Sequence, residues 1–225
     1  MIDSDNWDVW TTSGDLTGVP SASDSVMYWA GLGAVDRCSG RLVEPANDNY
    51  PRLVALTGAA GSGKSTATKF LVERHGYTLV KFAGPLKDMM RAIGATEEEI
   101  EGGRKETPAI WLCGKTPRHA MQTLGTEWGR NCIGEDFWAG IWAIRVQRVF
   151  NSGGRVVVDD CRFPNEAASV RTKGGMIIKL EGRGGIAGQH ASEAGCGQHD
   201  AIVTNDSCVT ELYAAVEQEV KRWAA

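Results

Sequence analysis

Residues 58–65 have the sequence Gly58-Ala59-Ala60-Gly61-Ser62-Gly63-Lys64-Ser65, which fits the spacing G-x-x-x-x-G-K-S. The apolar run 53–57 precedes this stretch, and a helix-like stretch from Ser65 to Arg74 follows it. Glycines at these places let backbone N–H groups turn toward an anion, and the helix N-terminus adds partial positive charge. The lysine then reaches the β- and γ-phosphates, and the serine hydroxyl reaches Mg²⁺. The stretch predicts a Walker A phosphate-binding loop between a strand and a helix.

The chain after Arg52 alternates strand-like and helix-like segments. We predict further strands at 77–82, 155–160, 176–180 and 201–203, and helices at 85–93, 116–131, 136–150 and 209–223. Such alternation indicates a parallel sheet covered by helices. We therefore predict an α/β fold of the P-loop NTPase kind, a three-layer αβα sandwich around a parallel central sheet. The Gly-rich segment 182–197 is expected to form a mobile lid.

Composition limits the class of protein. The 225 residues are 42% hydrophobic, enough for one sizeable core. No run approaches the roughly 18 apolar residues of a membrane span, and the N-terminus lacks the features of a signal peptide. The six cysteines form no C-x-x-C pair, which favours reduced thiols over a disulfide framework. We expect a soluble, cytoplasmic protein.

The first fifty residues differ from the rest in charge. They carry eight acidic and two basic side chains, whereas the whole chain has a net charge of −4. Residues 51–225 are thus nearly neutral, which does not favour a protein that holds long stretches of DNA backbone. We predict an acidic N-terminal extension at 1–50, which docks through its tryptophans, and a nucleotide-binding domain at 51–225.

A metal site of a different kind is one alternative for the Gly-rich segment. His190, Cys196 and His199 lie close together in the sequence, with a C-x-x-H spacing that can hold zinc. A fourth ligand is not evident, so the mobile loop remains the favoured interpretation.

Two carboxylates end the predicted strand 155–160. Ligands of open α/β sheets bind outside the carboxyl ends of the strands, and a Walker A loop needs an acidic partner near its Mg²⁺. Asp159 and Asp160 are both candidates for that role. The alternative is that Asp160 caps the helix that starts near Pro164.

The predicted helix 116–131 carries polar side chains at helical spacing. Arg118, Gln122, Thr126 and Arg130 recur every four residues and so share one face. Arginine forks match phosphate oxygens, and an amide can bind the edge of a base. The alternative is an ordinary solvated helix face.

Taken together, these stretches resemble the deoxynucleoside monophosphate kinases of tailed bacteriophages, P-loop enzymes related in fold to adenylate kinase. The specific strings are T-P-R-x-x-x-Q-x-L-G-T-E-x-x-R at 116–130 and D-x-R-F-P-N-E at 160–166, and the F-A-x-P-L-K string at 82–87 adds to them. The resemblance covers nearly all of 52–225. This chain departs from the family in its N-terminal extension and in Gly84, where an acidic residue is expected.

The resemblance implies transfer of the ATP γ-phosphoryl group to the phosphate of a dNMP, with Mg²⁺. The implied catalytic residues are Lys64, Arg118, Arg130, Asp160, Arg162 and Arg183. The implied ATP-binding residues are Gly58, Ala60, Gly61, Ser62, Gly63, Lys64, Ser65, Thr66 and Asn205. The implied acceptor-binding residues are Lys87, Arg118, Gln122, Arg130, Trp138, Asp160 and Arg162. Ser65 and Asp159 would hold Mg²⁺, the latter through water.

Within these roles, Gln122 is expected to hydrogen-bond the acceptor base and Trp138 to stack on it. Asn205 is expected either to border the adenine of ATP or to be an ordinary turn residue. A phage-encoded enzyme would act in the cytoplasm of its host. The extension leaves a homodimer contact open.

Two other functions remain alternatives. A kinase of the same fold can phosphorylate a hydroxymethylated base within DNA, although the nearly neutral core argues against it. A nucleotide-dependent switch or binding module would need only the phosphate loop, and the Arg118, Gln122 and Arg130 face would then have no purpose.

Overall fold

The computed structural model describes residues 26–29, 33–36, 42–43, 50–182 and 195–224. The chain divides into two compact units, Met1–Asn47 and Asp48–Ala225. In the first unit, β1 (Val26–Trp29), β2 (Gly33–Asp36) and β3 (Leu42–Val43) form an antiparallel sheet in that order. The sequence analysis did not predict these strands, because strands of two to four residues are too short to show a period of two. The proposed docking of Trp7 and Trp10 concerns residues outside the described ones.

The second unit contains a five-stranded sheet in which every pairing is parallel. Its spatial order is β5-β6-β4-β7-β8. This confirms the predicted parallel central sheet. The strands are β4 (Leu53–Thr57), β5 (Tyr77–Leu79), β6 (Arg155–Val158), β7 (Met176–Gly182) and β8 (Ala201–Asn205).

Helices follow the strands along the chain. None of the helices in the described ranges is long and apolar enough to cross a membrane. The α-helices are α1 (Lys64–His75), α2 (Gly84–Ala92), α3 (Glu97–Ile100), α4 (Pro117–Thr123), α5 (Phe137–Asn151), α6 (Pro164–Thr172) and α7 (Val209–Ala224). A π-helix spans Leu124–Ile133, and short 3₁₀ turns span Gly103–Glu106 and Ile110–Leu112.

The central strand separates two hydrophobic layers. Val54 and Leu56 of β4 pack with α1 and α7, whereas Leu53 and Ala55 pack with α5 and α6. Successive side chains of a strand point to opposite faces, so a strand covered on both faces reads as a continuous apolar run. The three-layer αβα architecture predicted from the sequence is confirmed. A third cluster around Met90 and Ile100 joins α2, α3 and α4 into the helical region beside the sheet.

Two strands end earlier than predicted. β5 ends at Leu79 rather than at residue 82, and β6 ends at Val158 rather than at residue 160. We attribute both early ends to the Asp160 side chain. Its carboxylate accepts hydrogen bonds from the backbone N–H groups of Phe82 (2.9 Å) and Ala83 (3.0 Å). These side-chain bonds take the place of ladder hydrogen bonds just past the ends of both strands.

The helix predicted at 116–131 is α-helical only as far as Thr123. From Leu124 it widens into the π-helix, which includes Gly125 and Gly129. The indole of Trp138 lies against this helix and donates its N–H to the Gly125 carbonyl (2.8 Å). A Cβ atom on Gly129 would lie 2.4 Å from the indole nitrogen. Because a side chain inserted beside the helical ladder is a known cause of such distortions, we attribute the widening to Trp138.

Candidate active site

The predicted phosphate-binding loop connects β4 to α1 in a conformation that needs glycine. Gly58, Gly61 and Gly63 have φ angles of 136°, 77° and 100°. L-residues rarely adopt these values, whereas glycine does so without a steric penalty. A Cβ atom on Gly58 would also lie 2.4 Å from the carbonyl oxygen of Leu180 in β7. The loop is thus packed directly on the backbone of the neighbouring strand.

Asn205 supports the loop from the end of β8. It lies within the strand, not beyond it as predicted, and it is buried. Its amide nitrogen donates to the Ser62 carbonyl at 3.0 Å, and a Cβ atom on Gly63 would lie 2.4 Å from that nitrogen. The amide donor thus binds the loop backbone, which gives Asn205 a supporting role beneath the phosphate site.

Lys64 lies at the start of α1 and bends back over the loop. Its ammonium group donates to the carbonyl oxygens of Gly58 (2.7 Å) and Ala59 (2.8 Å). Ser65 and Thr66 follow in the first turn of the helix, where free N–H groups and the helix dipole favour an anion. A triphosphate in this cradle would meet an ammonium group, a helix N-terminus and loop N–H groups together.

The two adjacent carboxylates have different surroundings. Asp160 uses both oxygens for the backbone of Phe82 and Ala83. Asp159 is buried, its Oδ1 accepts no hydrogen bond, and Lys81 Nζ lies 3.4 Å from that atom. Asp160 does not cap α6, because Glu166 accepts the backbone N–H of Phe163 there. Asp159 is therefore the carboxylate that is more available to a cation.

A magnesium site fits at this position. β6 lies beside β4 with Ala55 opposite Val158, so Asp159 follows its strand next to the start of the phosphate loop. A buried carboxylate oxygen without a hydrogen-bond donor suits Mg²⁺, which usually takes one or two protein carboxylates together with phosphates and water. Over the described ranges, no group of three or more His, Cys, Asp or Glu side chains could hold a metal ion. His190 of the zinc alternative lies outside those ranges.

A cavity of about 310 Å³ opens beside the carboxylates. All seven residues expected to bind an acceptor line it. Its lining residues include five cationic and two acidic side chains, so it favours an anion. The lining residues are Phe82, Ala83, Leu86, Lys87, Ile100, Lys105, Arg118, Met121, Gln122, Gly125, Thr126, Arg130, Trp138, Asp160, Arg162, Phe163 and Glu166.

Two of the cations at this cavity have exposed carboxylate partners. Arg118 donates to Glu106, and both side chains are more than half exposed. Lys87 Nζ donates to Glu101 at 2.6 Å. An exposed ion pair such as Arg118–Glu106 is worth less than about 1 kcal/mol, so an incoming phosphate can displace Glu106 at small cost.

Arg130 is held much more firmly. It donates to Glu166 Oε1 at 2.9 Å, and its guanidinium carbon lies 3.9 Å from the ring centre of Phe163. The second oxygen of Glu166 accepts the backbone N–H groups of Arg162 (2.8 Å) and Phe163 (3.1 Å). Burial raises the pKa of Glu166 to about 7, although these N–H groups act in the opposite direction. Burial likewise raises the pKa of Asp160.

Trp138 forms a wall of the cavity. Its ring is 4% exposed and packs against Phe137 with ring centres 4.8 Å apart. Because little of the ring is free, packing of the π-helix is its visible role here, and a stacked base would meet only its accessible edge. Gln122, in contrast, is exposed within the lining, where its amide can hydrogen-bond a base.

A curated relative from Acanthamoeba polyphaga mimivirus is named "Putative deoxynucleotide monophosphate kinase". It is 32% identical to this chain over an alignment of 183 residues, and the match covers 73% of this chain and 93% of the relative. The chain belongs to the deoxynucleotide monophosphate kinase family. The family model described as deoxynucleotide monophosphate kinase matches residues 115–216, a range that starts just before α4 and ends within α7.

Solved structures of other kinases also match. A sugar kinase from Janibacter sp. HTCC2649 has 12% sequence identity and a TM-score of 0.43, with 77% of this chain and 98% of that chain covered. Dephospho-CoA kinase from Campylobacter jejuni has 10% identity and a TM-score of 0.41, with 77% of this chain and 97% of that chain covered.

Several residues that line the cavity of this deoxynucleotide monophosphate kinase family member were not predicted from the sequence. Lys105 comes from a 3₁₀ turn for which no period was visible, and Phe163 and Glu166 were seen only as letters of a family string. A Glu three residues after a helix start is a capping signal, and that signal could have identified Glu166. Arg183 lies outside the described residues, and its proposed role is untested.

Proposed function

We propose that this chain transfers the γ-phosphoryl group of ATP to a free deoxynucleoside monophosphate. One observation carries the proposal: the loop that follows β4 and a cationic cavity lined by Asp160, just after the neighbouring strand β6, both lie at the carboxyl edge of the sheet. The cavity is large enough for part of a nucleotide, and its three excess positive charges suit a phosphate monoester dianion. Membership of the kinase family agrees with this reaction.

The proposed roles follow from the chemistry of phosphoryl transfer. The protein has to align two anions and offset the charge spread over the transferring group, and it needs no nucleophile of its own. Lys64 and the loop N–H groups hold the donor phosphates. Arg118 and Arg130 hold the acceptor phosphate, while Arg162 offsets charge between the two sites, joined by Arg183 from the proposed lid. Gln122 contacts the acceptor base.

Ser65 and Asp159 would hold Mg²⁺, whose positive charge would partly neutralise the donor phosphates. Asp159→Asn should lower kcat by about a hundredfold or more and raise the Mg²⁺ concentration needed for half-maximal rate, because a carboxylate ligand becomes a neutral amide. A magnesium titration of the rate checks this. Asp206→Asn, which removes a carboxylate outside the described cavity lining, is the control. An unchanged Mg²⁺ requirement in Asp159→Asn would remove this residue from the metal site.

Arg118→Ala should raise the KM for the acceptor about ten- to a hundredfold, because a charge-assisted hydrogen bond to phosphate is worth about 1.5–3 kcal/mol. The KM for ATP should change little. Initial rates with either substrate varied check both statements. Arg222→Ala, on the exposed face of α7, should leave both constants at their wild-type values. If Arg118→Ala leaves the acceptor KM at the wild-type value, Arg118 does not bind the acceptor.

The choice among substrates is tested by an ADP-release assay with Mg²⁺ and ATP. Its arms are the four dNMPs, the corresponding ribonucleotides, hydroxymethylated dNMPs and duplex DNA that carries hydroxymethylated bases. We expect turnover with one or more free dNMPs. Phosphate found only on DNA would support the alternative of a DNA base kinase. ADP release that needs no acceptor would support the nucleotide-dependent switch.

We further propose that residues 51–225 form the kinase domain, that the N-terminal residues are an addition to it, and that the enzyme acts in the cytoplasm. The mimivirus relative matches over nearly its whole length while it covers only 73% of this chain, which supports an added segment here.

A further inference from the structure

Glu166 joins three residues from two parts of the cavity wall through one side chain. Its Oε1 atom accepts from the Arg130 guanidinium of the π-helix at 2.9 Å. Its Oε2 atom accepts from the backbone N–H groups of Arg162 and Phe163, which precede α6. The side chain is 5% exposed, and that of Arg130 is 14% exposed. A carboxylate buried this deeply stays ionised only when it has strong hydrogen-bond or charged partners. Here the partners, Arg130, Arg162 and Phe163, all line the acceptor cavity.

The same contacts fix the direction of Arg130. The guanidinium lies flat on the Phe163 ring at 3.9 Å, while its other terminal nitrogen lies 3.4 Å from both Asn165 Oδ1 and the Glu135 carbonyl. A planar guanidinium has five N–H groups in fixed directions. With one edge on Glu166 and one face on Phe163, the rotation of the group is restricted. The π-helix alone would leave this long side chain free to turn.

We propose that Glu166 is a positioning residue that holds the Arg130 guanidinium in the orientation required to bind the acceptor phosphate. The inference rests on the proposed function, since it assumes that the acceptor is a nucleoside monophosphate. It adds a residue to which the sequence analysis gave no role. Glu166 need not touch the substrate, because it acts through the arginine.

Glu166→Gln separates this role from that of a helix cap. The amide oxygen of glutamine can still accept the backbone N–H of Phe163, so the start of α6 keeps its partner. The amide NH₂ group would then face the guanidinium as a second donor and release Arg130. We expect the acceptor KM to rise about ten- to a hundredfold with an unchanged KM for ATP. Glu127→Gln, the same change at an exposed position of the π-helix, is the matched control.

A double-mutant cycle with Arg130→Lys tests whether Glu166 acts through Arg130. Lysine keeps the positive charge but lacks the planar fork that Glu166 orients. In the Arg130→Lys background, Glu166→Gln should add little further loss, because coupled residues are not additive. Fully additive losses would overturn the proposal. Unchanged acceptor KM in a folded Glu166→Gln variant would also overturn it.

The pH dependence gives a second readout. Burial raises the pKa of Glu166 to about 7, and the charged groups around it are Asp160 at the end of β6 and Arg130 on the π-helix, while the nearby Cys161 thiol is neutral. The carboxylate that holds Arg130 is therefore lost as pH falls through about 7. In the wild type, kcat/KM for the acceptor should decline as the pH falls below about 7. In Glu166→Gln this decline should be smaller. The phosphate of the substrate also titrates near pH 6, but equally for both proteins.

Glu166→Asp keeps the proposal testable if Glu166→Gln fails to fold, as judged by circular dichroism. Aspartate keeps the charge but is one methylene shorter, so it cannot reach Arg130 and the backbone of α6 together. We expect an acceptor KM between those of the wild type and Arg130→Lys. Wild-type acceptor KM in Glu166→Asp would contradict the positioning role. If the wild type itself phosphorylates no dNMP, the proposed function fails instead, and the two failures are thereby distinguished.

Discussion

Lys64→Ala lowers kcat about a thousandfold or more in our account, and it is the largest expected effect of a single side chain. The ammonium group bends over the phosphate loop toward the carbonyls of Gly58 and Ala59. Phosphate groups bound in the loop would replace these carbonyls as partners of the Lys64 ammonium group. Its positive charge would then offset the negative charge that spreads over the transferring group. Removing one preorganised donor of this kind typically costs about 10²–10³ in rate, and a full charge costs more.

The measurement is a steady-state rate at saturating ATP and dNMP, together with ATP binding by calorimetry. Lys69→Ala is the matched control on the same helix, because Lys69 is 68% exposed and its salt bridge within the described part of the chain is with Glu73 at the next turn. Such a pair is worth a few tenths of a kcal/mol, so the control should keep wild-type turnover. If Lys64→Ala has nearly wild-type turnover, the phosphate loop is not the donor site.

Gly58→Ala should abolish ATP binding, with a rise in Kd beyond about a hundredfold, for a purely steric reason. The new Cβ atom would lie 2.4 Å from the Leu180 carbonyl oxygen and 2.9 Å from Ser62 Oγ. The first of these atoms belongs to the backbone of a buried strand, so it cannot rotate away. The φ angle of 136° adds strain of about 1–3 kcal/mol for a residue with a side chain. The loop must therefore move away from β7, and its N–H groups lose their common direction.

Calorimetric titration with ATP checks this, and thermal unfolding shows whether the domain stays folded. Gly140→Ala is the control, because Gly140 lies in α5 with open space around its Cβ position. Alanine in a helix interior is better than glycine by up to about 1 kcal/mol, so this variant should bind ATP normally and unfold at a slightly higher temperature. Normal ATP affinity in Gly58→Ala would show that the loop is not packed as described.

The fold follows from the sequence where local signals are strong. The apolar run 53–57, the β-branched run 155–158 and the Walker A spacing predict the central strands and the loop between them. The ends of strands were less predictable. They depend on Asp160, whose carboxylate binds the backbone of Phe82 and Ala83, about eighty residues earlier in the chain. No local pattern contains such a long-range bond.

In the cavity too, some features were predictable from local sequence signals, whereas others depend on contacts between distant parts of the chain. The spacing of Arg118, Gln122 and Arg130 predicted a shared helix face, the family resemblance implied their binding roles, and all three line the cavity. Their spacing of four residues assumes a continuous α-helix, whereas the chain widens into a π-helix where Trp138 packs against Gly129. Glu166 has a local signal as a capping residue, but its contact with Arg130 spans 36 positions of the sequence and is visible only in the fold.

Asn205 illustrates how a residue's role depends on its burial. From the sequence it follows a short strand, where an asparagine either forms a turn or reaches a ligand. In the structure β8 runs on to Asn205, and the amide donates to the Ser62 carbonyl beneath the phosphate loop. Strand length was the missing information, because β8 owes its last residues to pairing with β7.

The most direct test of the central claim is transfer of labelled γ-phosphate from ATP to a free dNMP. The purified protein is incubated with Mg²⁺, γ-labelled ATP and each dNMP in turn, and the products are separated and identified by mass. Our account predicts that the label appears as the β-phosphate of a dNDP, and that Lys64→Ala abolishes it. Label that appears only as inorganic phosphate, or only on DNA, would contradict the account.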